Sequence, residues 1–477
     1  MRWIGILILQ CCGLTVQAAP PIEYEVQLRF VQGEARLALD ACATAAAERI
    51  DWQAPAGQMA DIVALRRSSG AALVWRGERV QTLEVQAGEC LHWLIDLQAI
   101  AERDRWGLGY RSDRYYRAPI AAWLWRPSEF SDRDRLRFAA ADGWAISAPW
   151  PAANDGWRVL GATPQDWPGT VAWFVGQEQR VMVPGGELRV SVLPSVDTPP
   201  PGLREWMQRT ADNLLTSAPR WPSGSTQVVL LPLPGVRSPV PWGQVTRGGG
   251  SAVHLFLGAA VEPTARASDW TATHEMAHLL HPFMGDRGRW LAEGLASYYQ
   301  NVARSRSGEL SEVEAWSRLR AGFERGQAAT PAGAPTLNEV SRRRTRGSTM
   351  RVYWSGAAFW LQTDLALRSA GYSLDQALAG FAERHLPSTR LWRPEAFVRA
   401  LGEHVSEAER DALQTRFSAY QARTDFPALP ELLRQAPDDG PPPAVVAILR
   451  PAEHALCMGT EARPLAPPSA PGAKDEC

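Results

Sequence analysis

His274 and His278 stand four residues apart, with Glu275 between them. On a helix two such imidazoles project from one face a turn apart, the placement needed to grip a single metal ion. Glu275 is offset around the helix toward the open coordination position, where a carboxylate can take a proton from a water. A catalytic zinc site needs a third protein ligand and an open fourth position. Glu293 is the candidate. Pro282 ends the first helix, Gly285, Asp286 and Gly288 supply a turn, and Trp290 onward reads as a second helix that folds back to face the histidines. His281 shares a face with His274, but three successive turns of one straight helix do not converge on a tetrahedral ion, so His281 reads as a polar helix end. The expected centre is Zn2+ on His274, His278 and Glu293, with Glu275 as general base.

These residues carry a family likeness. His274-Glu-Met-Ala-His278, followed by Trp290-Leu-Ala-Glu-Gly-Leu-Ala-Ser-Tyr-Tyr299, resembles the gluzincin metallopeptidases, and among them the bacterial glycyl aminopeptidase family more than thermolysin. The stretch from Tyr353 to Leu365, beginning Tyr-Trp-Ser-Gly-Ala-Ala, is similar to that family's Tyr-x-Lys-Gly-Ala helix, and Ser373-Leu-Asp-Gln376 to its Ser-Leu-Asp-Asp segment. Gly248-Gly-Gly-Ser-Ala-Val-His254 resembles its glycine-rich substrate-binding stretch. The resemblance spans about residues 120–420. It implies a thermolysin-like catalytic domain, peptide substrates, and Tyr353 as hydrogen-bond donor to a tetrahedral oxyanion. From the residues alone Tyr353 reads as packing, and Tyr298 and Tyr299 are rivals.

Three departures from the family pattern matter. Glu293 follows His278 by 15 positions, a few fewer than usual, so the connection must be tight. Val253 stands where the family has the glutamate that grips a free substrate amine, and Ser355 where it has lysine. These changes bear on exopeptidase specificity and not on hydrolysis. Glu262, nine residues beyond Val253, is a possible substitute acid.

The elements that must position this chemistry belong to a chain of 477 residues, 45% hydrophobic and 21% charged, enough for two or three globular domains. A net charge of −1 excludes a general affinity for nucleic acid or anionic membranes. Residues 1–18 have a positive start, an apolar core and small residues at the end, as in a cleavable signal peptide, so a periplasmic or secreted protein with no stable membrane insertion is expected. Of six cysteines four remain after cleavage, and neighbourhood pairs Cys42 with Cys90 and Cys457 with Cys477.

Ile22 to Phe30 alternates apolar and polar residues without a fault and opens a β-rich region. Its many tryptophans, Trp123, Trp125, Trp144, Trp150, Trp157, Trp167 and Trp173 among them, read as core filling in preference to a sugar-binding face. Thr198-Pro-Pro-Pro-Gly202 reads as a boundary. Gln227 to Leu233 and Ala252 to Leu257 read as strands, and the thermolysin-like resemblance implies that such a strand lies beside the zinc helix with an exposed edge able to pair a peptide backbone. The basic run Arg342 to Arg346 reads as a solvated face, with a cleft rim as the alternative.

The expected division is a signal peptide (1–18), an N-terminal β-sandwich-like domain (19–197), a thermolysin-like, mostly helical zinc-peptidase domain (198–434) and a Pro/Ala-rich tail (435–477), an α+β protein in all. The expected function is an exported zinc metallopeptidase with a peptide or protein substrate. The alternative is a non-hydrolytic binder of peptides or envelope components on the same scaffold.

Overall fold

The computed structural model describes residues 19–53, 61–76, 79–103, 113–139, 141–161, 169–247, 249–344, 346–429 and 440–450. The expected signal peptide, Trp167 and the Cys457–Cys477 pair lie outside the described residues. The fold is α+β, with β sheets in the N-terminal part and helices in the C-terminal part.

Strand Ile22–Val31 turns at Gln32 and Gly33, both with positive φ, into Glu34–Ala43. That turn matches the right-handed twist of the two strands it joins. The hairpin is the middle of a six-stranded sheet, and a four-stranded sheet lies against it. Trp52, Trp93, Trp123, Trp125, Trp150 and Trp173 are all buried in one cluster with residues of these sheets, so these tryptophans fill a core. Trp144 and Trp157 are half-buried, the first stacked on Tyr116 and the second under Arg135 and Arg137. Cys42 and Cys90 face each other in register across neighbouring strands and are joined by a disulfide.

A separate five-stranded sheet runs in the order Gln179–Val183, Gly186–Val192, Ser225–Leu233, Ser251–Gly258, Trp242–Arg247. The hairpin around Gly185 and Gly186, which the sequence groups with the N-terminal strands, is hydrogen-bonded into this sheet. Two further differences concern the site. Ser251–Gly258 is an interior strand, and the edge beside the histidine helix is Trp242–Arg247, a strand the sequence pattern does not announce. Val253 points into the core with Val228 and Leu255 and has no access to a cleft. Gly249 and Gly250 are not a free loop: Gly249 (φ 90°) lies so close to Trp150 that a Cβ would fall 1.9 Å from the indole nitrogen. They dock this sheet on the N-terminal sheets.

The helices pack on the sheet's other side through one continuous core. Helix Arg289–Arg306 (the glutamate helix) crosses Thr349–Ser369 (the tyrosine helix) at glycines, where a Cβ on Gly356 would lie 1.9 Å from the Trp290 carbonyl oxygen and one on Gly294 2.3 Å from the Gly356 backbone. The apolar piece Pro443–Leu449 in the expected tail is a short helix whose Val445, Ile448 and Leu449 join this core. No helix among the described residues is long and apolar enough to cross a membrane.

Candidate metal centre

The histidine helix, Thr271–Ala277, is seven residues long and begins where Asp269 Oδ1 accepts from the Thr271 N–H at 2.7 Å. Ala272, Met276 and Ala277 bury one face of it against the core, which turns the other face toward the glutamate helix. After His278 the chain tightens into a 3₁₀ turn, His278–Leu280, and His281 is extended. A second 3₁₀ turn, Asp286–Gly288, leads into the glutamate helix. Ser341 Oγ accepts from Trp290 N–H at 3.1 Å and donates to the Asp286 carbonyl at 2.9 Å, fixing the helix start. Two tight turns thus span a connection that the sequence makes short.

Glu293 Oε2 lies 3.3 Å from His274 Nε2 and 3.6 Å from His278 Nε2. The other ring nitrogens are occupied. His274 Nδ1 meets Gln300 Oε1 at 2.7 Å. His278 Nδ1 meets His281 Nε2 at 3.0 Å, and His281 Nδ1 meets the Pro282 carbonyl at 2.8 Å. A carbonyl only accepts, so His281 Nδ1 carries the proton, His281 Nε2 is the acceptor, and His278 must donate from Nδ1. The amide oxygen of Gln300 imposes the same tautomer on His274. Both Nε2 lone pairs therefore face the Glu293 carboxylate, three acceptors with no donor among them, which is the donor set of a cation site. A tetrahedral ion with arms of about 2.05 Å has edges of about 3.3 Å, close to the two spacings from Glu293. His281, which ends the 3₁₀ turn His278–Leu280, is buried and is not one of the three clustered ligands. It backs a ligand.

Electrostatics agree with this inventory. Burial opposes a charge on His274, but the hydrogen bond and charge of Glu293, with Glu275 nearby, raise its pKa; a metal would take the place of that proton. Burial, and the Arg247 charge after it, lower His281 well below the usual histidine range, so it stays neutral as the relay requires. Glu293 is buried yet held well below the usual carboxylate range by the two histidine rings beside it. Glu275, with no ligand role in this cluster, is pushed up to about 7, chiefly by burial, with His274 pulling the other way. Its side chain rests on the edge strand: a Cβ at Gly243 would come within 2.5 Å of Glu275 Cγ.

Tyr353 stacks on His274, ring centroids 5.9 Å apart, with its hydroxyl close enough to Glu293 to feel that carboxylate. Burial, with Glu293 next, raises its pKa, so it keeps its proton. Tyr298 and Tyr299 instead donate to Asp364 at 2.8 Å and Asp375 at 2.7 Å, away from the centre. Ser355 is buried in the helix crossing. Glu262 is exposed at the start of the short helix Pro263–Ala267. Two contributors escape a reading of the sequence. Gln300 lies seven residues after Glu293 on one helix face, a spacing that does signal it. Arg247, at the end of the edge strand, donates to the His278 carbonyl, a contact across 31 residues with no local signature.

Compared with solved structures, the chain resembles a protein of the aminopeptidase N family from Idiomarina loihiensis over 86% of this chain and 77% of the other, with TM-score 0.59 and 13% identity. It also resembles a two-domain M1 zinc metallopeptidase variant bound to L-arginine, over 87% and 96%, with TM-score 0.51 and 14% identity. The chain shares the fold of M1 zinc metallopeptidases. No family model matches the sequence, and no curated protein does.

Proposed function

We propose that the protein is an exported zinc metallopeptidase, with zinc held by His274, His278 and Glu293. The observation that carries this is the convergence of two tautomer-fixed Nε2 atoms on Glu293, 3.3 and 3.6 Å away, with a buried carboxylate beside them on the same helix. The shared fold supports the same chemistry. Zinc there supplies Lewis acidity toward a peptide carbonyl and an attacking water. Glu275 takes the proton from that water as its oxygen adds to the carbonyl carbon, then delivers it to the leaving amine as the C–N bond breaks. Tyr353, protonated and beside the ligands, donates to the carbonyl oxygen as charge develops on it. Export rests on the leader-like residues 1–18 and agrees with the disulfide between Cys42 and Cys90.

The likeness to the glycyl aminopeptidases extends in this reading to hydrolysis and not to amine recognition. A substrate ammonium entering a closed cleft needs a carboxylate to meet it. Val253 is in the core, and the edge strand Trp-Gly-Gln-Val-Thr-Arg carries no acid. We therefore expect blocked peptides to be cleaved as well as free ones. The test is metal analysis of the purified protein, followed by hydrolysis of one peptide with its amine free and then acetylated. One equivalent of zinc and cleavage of both forms is the expected result. Strong loss on acetylation would restore an aminopeptidase, and stoichiometric zinc without cleavage of any peptide would favour the binding protein.

A further inference from the structure

The edge strand brings no carboxylate to the cleft, and the connection between the two ligand-bearing helices brings arginines. Arg287 in that connection, with Arg393, Glu395, Ala396 and Arg399 of helix Pro394–Leu401, lines a cavity of about 460 Å³. The three guanidiniums are exposed, and among the described residues none of them is in an ion pair. The nearest acid on the connection, Asp286, is taken by Arg344, and Glu395 accepts from Gln421 at 3.1 Å. Three cations and one anion therefore share a concavity. Like charges repel, and a concave wall concentrates their field, so the arrangement favours an incoming anion.

The cavity is tied to the metal centre. Trp392 N–H donates to the Phe283 carbonyl at 2.9 Å, and Phe397 packs on His281 with centroids 6.4 Å apart, so the arginine-bearing helix is seated on the end of the histidine helix. Arg289, two residues beyond Arg287 and one turn before Glu293 on the same face, holds its guanidinium 6.0 Å from the centre of the Tyr353 ring. Arginines thus stand both at the cavity and beside Tyr353.

We propose that the cavity of Arg287, Arg393 and Arg399 is a subsite for a carboxylate of the peptide substrate, so that the enzyme selects acidic peptides. Arginine suits this role because its planar fork matches a carboxylate with two hydrogen bonds. The inference rests on the peptidase reading. The carboxylate comes from a substrate's C-terminus or from an Asp or Glu side chain.

The experiment uses the full-length, zinc-loaded protein and N-terminally acetylated peptides in matched pairs, glutamate against glutamine at successive positions, each with a free or amidated C-terminus. The acidic member should have about tenfold higher kcat/KM, a difference that shrinks in high salt. In the R287Q/R393Q/R399Q variant the acidic peptide should fall to the rate of its neutral partner. Loss on amidation assigns the C-terminal carboxylate, and loss on exchange of an internal glutamate assigns a side chain. Neutral and acidic peptides cleaved equally by the wild type, or a preference that survives in the triple variant, overturns the subsite alone. Failure to cleave any of these peptides, and any of their unacetylated forms, overturns the peptidase reading. Fluorescence anisotropy of a labelled acidic peptide then tests the cavity directly: weaker binding to the triple variant upholds it, and equal binding overturns it.

Discussion

The proton on His281 decides how His278 can meet a metal. Because His281 Nδ1 donates to the Pro282 carbonyl, His278 is held as the Nδ1–H tautomer with Nε2 free. His281→Ala should weaken zinc binding by about 10–100-fold, as loss of such outer partners does, and His281→Gln, which can still accept, should recover part of it. Competition with a chelator measures both, and unchanged affinity in the alanine variant would remove His281 from the centre. In the proposed mechanism Glu275 acts on protons and not on the metal. Glu275→Gln should keep its zinc and lose about 10²–10⁴ in turnover, read by metal analysis beside peptide hydrolysis. Glu275 accepts a proton only as the carboxylate, so kcat/KM must fall as pH drops through its pKa. Burial places that pKa at about 7. A cation beside it favours the charged form and moves the acid limb below 7.

Two elements meet where side chains are missing. The crossing of the glutamate and tyrosine helices at Gly294 and Gly356 lets their backbones touch, and this close approach carries Tyr353, one turn before Gly356, onto Glu293 and His274. Gly356→Ala would press a methyl into the Trp290 carbonyl. Overpacking of this kind costs about 1–3 kcal/mol, and here it also lifts Tyr353 from its place. Thermal denaturation and kcat should both fall. A stability loss with kcat intact would show that Tyr353 is not positioned by this crossing. The edge strand follows the same logic, since Gly243 leaves the room that Glu275 occupies.

The molecule is held together by two sheet systems that touch at Trp150 and Gly249. In the N-terminal one the disulfide closes a separation of 48 residues, which removes freedom from the unfolded chain. The Cys42→Ala/Cys90→Ala protein should lose about 2–4 kcal/mol from the unfolding transition of the N-terminal sheets, measured in urea by tryptophan fluorescence. No change would mean that the register of these strands alone provides the constraint.

Spacing within single helices was readable without coordinates. His274 and His278 four apart, the helix return to Glu293 and the alternation of Ile22 to Phe30 are local periodicities that burial enforces. So was the pairing of Cys42 with Cys90, which neighbourhood suggested. Other features depend on parts of the chain far apart in sequence. Trp242–Arg247 has no clean alternation, so its place at the sheet edge, and with it the retirement of Val253 to the core, follows from which strands pair. His281 looked like a third turn of a straight helix until a 3₁₀ turn and an extended residue brought its Nε2 behind His278. Tyr353 had only a resemblance in its favour, and the choice against Tyr298 and Tyr299 rests on a glycine crossing between helices about sixty residues apart. Period and residue type set what each segment could do, and contacts across the chain decided which groups were brought together.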